Sequence, residues 1–234
     1  MVKVFNISGG RTSGMMVAEN YKPGDIVLFC DTGREHPKTY KFLHDFEAFE
    51  NIPIIWLKYE GGFKRLIEKR KMIPNIAMRF CTIELKIKTA RRYLRSIGLT
   101  KYENIIGFRY DEQNRIKNYK EHWKTVVTSF PLNDAKITKK NVLRYWAGKP
   151  YDLETPSILG SCDLFIKKKK NAIIQILRQH PELSDKWIED EEKISATYIN
   201  GISYEKMLEI SKLPYFSQIS LFDIEPAFDC SCTA

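Results

Sequence analysis

The sequence predicts an α/β protein with an open, mainly parallel sheet, helices on both faces and a helical C-terminal region. Three apolar runs of strand length, at residues 2–7, 26–30 and 54–57, alternate with helical stretches. That strand-helix-strand-helix-strand order is the pattern of a parallel sheet. The first two runs each end in a small polar or acidic loop, residues 8–14 and 31–35. In open α/β sheets such loops share one edge and face a common crevice.

Residues 2–7 read as the first strand, and Ser8-Gly9-Gly10-Arg11-Thr12-Ser13-Gly14 as a polar turn leading into a helix that begins at Thr12 or Ser13 and continues from Met15 to Asn20. The short apolar run 26–30, flanked by polar residues, is a buried parallel strand. Pro37 suits the first turn of the next helix, whose apolar face is Phe42, Phe46 and Phe49. After the third strand, Gly61-Gly62 breaks the chain before a basic helix over 63–71. Ile83, Ile87, Ala90, Leu94 and Ile97 recur at helical spacing and give an amphipathic helix with Lys86, Lys88, Arg91, Arg92 and Arg95 on its other face. Residues 104–107 and 126–130 are further strands. Thr138 caps a helix running to residue 147, and helices are expected over 166–179 and 203–211, with an acidic stretch between. The organisation expected is a nucleotide-binding α/β core over 1–132 and a helical accessory region over 133–234 that carries a cysteine-containing tail.

Adjacent glycines after a strand permit a tight turn with no side chain between its amides and a ligand. A helix beginning there adds free N–H groups and its dipole, which makes an anion site. Ser8, Thr12 and Ser13 offer hydroxyls and Arg11 a guanidinium. The loop is neither a Walker A sequence nor the dinucleotide fingerprint, and Gly-Gly-x-Thr-Ser is also an ordinary turn and cap. The second loop, Asp31-Thr32-Gly33, brings a carboxylate to the same edge, suited to Mg²⁺, a ribose hydroxyl or a basic neighbour, while Glu35 is less defined and His36 is open to a surface role.

The formal charge is +9, from 38 Lys and Arg against 29 Asp and Glu, a balance that attracts anions or serves as a solvated surface. Arg79, Lys86, Arg109 and Arg115 are placed to neutralise charge developing in transfer at phosphorus or sulfur; Asp111 and Glu112 offer the opposing reading, structural pairing of these arginines. Basic stretches at 64–71, 86–95 and 167–170 raise nucleic acid as a partner, although no recognised nucleic-acid motif accompanies them. No run approaches the roughly eighteen apolar residues that a membrane helix needs, and no signal-peptide layout opens the chain, so a cytoplasmic location is expected. The sequence does not indicate an oligomeric state.

In a reducing compartment the five cysteines are read as buried, reactive or metal-binding. Cys30 sits in an apolar strand and reads as a core thiol. Cys81, Cys162, Cys230 and Cys232 are open to three readings: ligands of a shared iron–sulfur cluster or zinc, unligated thiols, or redox thiols.

In their order along the chain, Ser8-Gly9-Gly10-Arg11-Thr12-Ser13, Phe29-Cys30-Asp31-Thr32-Gly33 with Pro37 and Thr39, Arg79-Phe80-Cys81-Thr82, and Gly107-Phe108-Arg109 with Asp111, Glu112 and Arg115 resemble the phosphoadenosine phosphosulfate reductase family, within the adenine nucleotide alpha hydrolase-like (PP-loop) superfamily. The resemblance implies an adenine nucleotide with its phosphates on the first loop, Asp31 beside it, and the Arg79 and Arg109 regions closing the anionic site. Thr12 stands where an aspartate is frequent in PP-loops. The family's carboxy-terminal Glu-Cys-Gly-Leu-His type segment has Asp229-Cys230-Ser231-Cys232 in its place, and Gly160-Ser161-Cys162-Asp163-Leu164-Phe165 resembles a cysteine segment with Phe165 at its second cysteine. A [4Fe-4S] cluster on Cys81, Cys162, Cys230 and Cys232 is what iron–sulfur branches of the family imply. The leading expectation is chemistry at the ATP α-phosphate with Mg²⁺, releasing pyrophosphate and activating a sulfur acceptor. Two alternatives stand beside it: reduction of phosphoadenosine phosphosulfate to sulfite by Cys230 or Cys232 with an electron-donor thiol, and a nucleotide-sensing component of nucleic-acid modification or defence.

Overall fold

The computed structural model describes residues 1–75, 78–121, 123–155, 164 and 168–214. Its first part alternates strand and helix: β1 (Lys3–Asn6), α1 (Arg11–Asn20), β2 (Ile26–Asp31), α2 (Pro37–Glu50), β3 (Ile55–Lys58) and α3 (Gly62–Arg70). A π-helical turn (Thr82–Ile87) runs into α4 (Lys88–Ser96), followed by β4 (Tyr102–Ile105), α5 (Gln113–Lys117), β5 (Val126–Ser129), α6 (Pro131–Asp134) and α7 (Lys139–Ala147). Three helices complete it: α8 (Lys170–Gln179), α9 (Asp185–Ile194) and α10 (Tyr204–Ser211).

The strands form one parallel sheet in the order β3-β2-β1-β4-β5. Because successive strand residues point to opposite faces, Phe5, Val27 and Phe29 enter one core with Met16, Phe42, Phe46 and Trp146, whereas Val4, Leu28 and Cys30 enter another with Ala90 and Leu94 of α4. Helices therefore cover both faces, as expected. A third core joins α3 to the C-terminal helices through Leu66, Ile67, Leu177, Trp187 and Tyr204.

Helix α1 begins at Arg11, earlier than the sequence pattern places it, with Gly10 as the residue before its first turn. Strand β4 lies two residues upstream of its expected start. Thr138 caps α7 as expected: its N–H and hydroxyl both donate to Asn141 Oδ1, at 2.9 and 2.6 Å. The helix expected over 166–179 is described from Lys170.

The amphipathic helix beginning near Ile83 departs from the periodicity. Ile83 and Ile97 are about half exposed, at 49% and 48%. For Ile83 the π-helical turn is the reason: Leu85 within it enters the C-terminal helical core, while Ala90 and Leu94 enter the sheet core; Ile97 is the residue just past the end of α4. The buried face thus changes where the helix widens. Phe49, assigned to the buried face of α2, is 58% exposed and stacks on Tyr151 at 4.9 Å.

Candidate nucleotide site at the strand-order reversal

Strand β1 has β2 on one side and β4 on the other, so the chain reverses its direction of travel across the sheet at β1. The loops leaving β1 and β4 therefore flank a crevice at the carboxyl edge, the usual position of ligands in open α/β sheets. The two loops meet in the structure: Arg109 Nη1 donates to Thr12 Oγ1 at 3.3 Å.

The first loop is held from inside. Ser13 is buried; its Oγ accepts the Ser8 N–H at 3.0 Å and donates to the Gly10 carbonyl at 2.9 Å. Ser8 Oγ lies 3.1 Å from the same oxygen. Gly9 has φ +74°, and a Cβ there would lie 2.2 Å from Thr39 Cγ2, so the turn needs glycine for both backbone angle and space. Gly10, with φ −101°, has neither a left-handed backbone nor a capping side chain. The first-turn N–H groups of a helix have no intrahelical partners, and here they start directly after this turn.

Arg11 points elsewhere. Its Nε and Nη2 reach the two carboxylate oxygens of Asp152 at 2.7 and 2.8 Å, and Nη2 also donates to the Leu153 carbonyl. Trp146 Nε1 donates to the Arg11 carbonyl at 2.8 Å. This arginine ties the 146–153 segment to the loop.

Around β2, Asp31 Oδ1 accepts the Gly33 N–H at 2.8 Å and the Tyr40 hydroxyl at 2.6 Å, while Lys58 Nζ stands 3.7 Å from Oδ2. Thr32 donates its N–H and hydroxyl to Glu35, at 3.1 and 2.8 Å. Glu35 is fully buried, and burial raises its pKa against the opposing pull of Lys86, whose Nζ is 3.9 Å away. His36 is buried and not a surface residue: its Nδ1 accepts the Lys38 N–H at 3.1 Å and so caps α2. Cys30 is a core thiol, pushed up to about 11 by burial.

The basic loops are largely self-paired. Arg109 Nε binds Asp111 at 2.8 Å and its N–H donates to Glu112 at 3.1 Å; Arg115 Nη1 donates to Glu112 at 2.6 Å and its guanidinium lies 4.2 Å from the Phe108 ring. Pairing and burial therefore hold the arginines while one edge of Arg109 faces Thr12. Arg79 is exposed, and its carbonyl accepts the Thr82 N–H. Cys81 is partly buried against the C-terminal helical core. Cys162, Cys230 and Cys232 lie outside the described residues, among which no group of three or more potential metal ligands converges.

The sequence carried no signal for Arg34, Asp190 and Tyr198. Arg34, in the loop after β2, is paired with Asp190 of α9, whose Oδ2 also accepts the Tyr198 hydroxyl at 2.8 Å. The Arg34 guanidinium lies between Phe63 and Trp187, 4.8 and 5.1 Å from their ring centres. Burial raises the Asp190 pKa and Arg34 opposes it. No helix among the described residues is long and apolar enough to cross a membrane.

The chain is 30% identical over 204 residues to the nin region protein ORF290 of Escherichia phage lambda, covering 74% of this chain and 68% of that protein. It is 25% identical over 193 residues to protein MJ0066 of Methanocaldococcus jannaschii, covering 77% of this chain but 39% of that longer relative. Among solved structures, it is similar to phosphoadenylyl-sulfate reductase from Candida auris in its phosphate complex (17% identity, TM-score 0.43, 66% of this chain and 82% of that one). It is also similar to the U34-tRNA thiolase NcsA from Methanococcus maripaludis with its [4Fe-4S] cluster (18%, 0.43, 89% and 72%). The family model of the phosphoadenosine phosphosulfate reductase domain matches residues 3–152. The chain therefore belongs to the phosphoadenosine phosphosulfate reductase domain family, a PP-loop family of adenine-nucleotide enzymes.

Proposed function

We propose that this protein binds an adenylyl sulfonucleotide at the Ser8–Ser13 turn and reduces its sulfuryl group to sulfite. The observation that carries this reading is the Arg109–Thr12 contact at the strand-order reversal. Thr12 leaves no carboxylate on the loop to hold a metal ion against the phosphates. The other carboxylates at this edge are engaged by protein donors: Asp31 by Gly33 and Tyr40, Glu35 by Thr32, and Asp111 and Glu112 by Arg109 and Arg115. Neutralisation of the ligand's charge thus falls to N–H groups and arginine, a donor set that suits a sulfonucleotide better than the Mg²⁺-bound triphosphate of ATP α-phosphate chemistry.

In this reading the backbone of residues 8–13 holds the phosphates, Arg109 and Lys86 balance charge at the leaving phosphate, and Asp31, Thr32 and Gly33 shape the neighbouring wall. Arg11, through Asp152, positions the loop. A thiolate of Cys230 or Cys232 attacks the sulfur; the sulfur–oxygen bond to phosphate breaks, and the nucleotide bisphosphate leaves with that electron pair. A second thiol then attacks the cysteine sulfur, sulfite leaves with the sulfur–sulfur bonding pair, and a disulfide remains. Two thiols are oxidised and one sulfuryl group is reduced by two electrons. Of the four cysteines suggested for a cluster, Cys81 alone is among the described residues, and no step is assigned to a cluster.

The test is one anaerobic product assay with a dithiol donor, in which phosphoadenosine phosphosulfate and Mg²⁺-ATP are offered in parallel. Sulfite from the sulfonucleotide, lost in Cys230→Ser or Cys232→Ser, is the expected result. Pyrophosphate and AMP from ATP without sulfite would replace this reading with α-phosphate chemistry.

A further inference from the structure

Two basic stretches differ in how their charge is balanced. Around α3, Lys64 pairs with Glu189, Arg65 with Glu60 and Arg70 with Glu84. In α4, Lys88 reaches Glu84 at 2.9 Å, but Arg91, Arg92 and Arg95 have no carboxylate partner among the described residues. A helix rises about 1.5 Å per residue, so these side chains line one flank of α4 for roughly 10 Å. Unpaired like charges held this close repel one another, a cost that an anionic partner removes.

Lys88, Arg91, Arg92, Arg95 and Trp123 line an open hollow of about 490 Å³ on this flank. The Arg91 guanidinium lies 4.0 Å from the Trp123 ring centre, and its Nη1 is buried without a hydrogen-bond partner. Partial burial, and after it the neighbouring Arg95, disfavour its charge. A cation in this position gains from any phosphate that enters the hollow.

We propose that the α4 flank with Trp123 is a docking surface for single-stranded nucleic acid. Lys88, Arg92 and Arg95 contact phosphates along the strand, and a base extends the stack of Arg91 on Trp123. Unpaired bases stack on indole and guanidinium planes, whereas in a duplex those faces are already occupied. An acidic polypeptide would satisfy the charges but leave the stacking pair unused. The surface begins two residues after Lys86, which faces Glu35 at the candidate nucleotide site, so a strand lying along α4 leads towards that site. The proposal does not depend on which reaction the site performs.

Fluorescence anisotropy of the full chain with a labelled single strand of about 20 nucleotides, longer than the roughly 4–16 occupied by one binding face, tests it as either DNA or RNA. Arg92→Ala/Arg95→Ala is expected to weaken binding about tenfold and to flatten the log affinity–log salt slope by about 1.4, two contacts at roughly 0.7 each. The exposed pair Lys22→Ala/Lys186→Ala removes equal charge elsewhere and should change binding by less than about twofold. Arg91→Lys keeps the charge and should still weaken binding, because the planar stack is lost. The proposal is overturned if the wild type does not bind at about 50 mM salt, if both double variants lose equally, if Arg91→Lys binds as wild type, or if duplex or polyglutamate competes as well as unlabelled single strand. Sulfonucleotide affinity, measured on the same variants, should stay unchanged, so failure of this surface and failure of the nucleotide reading give different results.

Discussion

Arg34 and Asp190 are 156 residues apart in sequence, yet they form a buried ion pair that joins the loop after β2 to helix α9. Tyr198 donates to the same carboxylate, and Phe63 and Trp187 enclose the guanidinium. One wall of the candidate nucleotide site is thereby fastened to the C-terminal helices. Removing one partner leaves an uncompensated buried charge, which costs about 3–5 kcal/mol. Asp190→Ala should lower unfolding free energy by that amount in urea titrations, and Arg34→Met/Asp190→Leu should recover most of it. A loss below about 1 kcal/mol in the single variant would show that the pair does not hold the two parts together.

Gly9 and Gly10 are adjacent but not equivalent. Only Gly9 has a left-handed φ, and its missing Cβ leaves room for Thr39. Gly9→Ala should cost about 1–3 kcal/mol of stability and weaken sulfonucleotide binding by at least about tenfold, whereas Gly10→Ala, at an ordinary φ, should keep the fold. Isothermal calorimetry beside thermal unfolding separates the two, and equal effects would refute the assignment of the strained position.

Thr12 is the first-loop group that Arg109 meets, beside the Asp111 and Glu112 carboxylates already paired with this arginine. Thr12→Asp places a carboxylate against the guanidinium, and an Arg–carboxylate pair is stronger than a hydroxyl contact. Sulfonucleotide affinity should fall about tenfold, a change of roughly 1.4 kcal/mol. Unchanged affinity would count against Arg109 as the charge-balancing group.

His36 sets a pH dependence. Burial, with His180 and Lys38 nearby, lowers its pKa against the opposing effect of Glu182. Between the lowered value and the ordinary value of about 6.5, the unfolded chain binds more protons than the folded one. The contribution is complete above that ordinary value and is lost as pH falls through the folded value. Urea titrations from pH 7 to pH 5 should show stability declining with acidity, and His36→Asn, which retains a capping acceptor, should reduce the decline. An identical decline in the variant would assign it to other groups.

Local sequence carries the local structure. Short apolar runs mark β1, β2 and β3 because a parallel strand is covered on both faces, and Thr138 with Asn141 marks the start of α7 because both cap partners lie within one turn. The Gly9-Gly10 turn and the Asp31 loop were legible for the same reason: their chemistry is contained in a few consecutive residues. Periodicity misplaced Ile83 because it assumes one buried face along a whole helix, whereas the π-helical turn exchanges one core for another; Phe49 and Ile97 lie at helix ends, in the last turn of α2 and just past α4.

By itself the sequence determined the α/β class, the loops of the candidate site and the family resemblance. The tertiary structure alone decided the partners: Arg11 paired with Asp152, His36 was buried, Arg109 met Thr12, and Arg34 found Asp190. Backbone propensities and turn chemistry act over a few residues, whereas a charged side chain is satisfied by whichever opposite charge or hydroxyl the packed sheet and helices bring within about 3 Å. Sequence spacing does not encode that proximity.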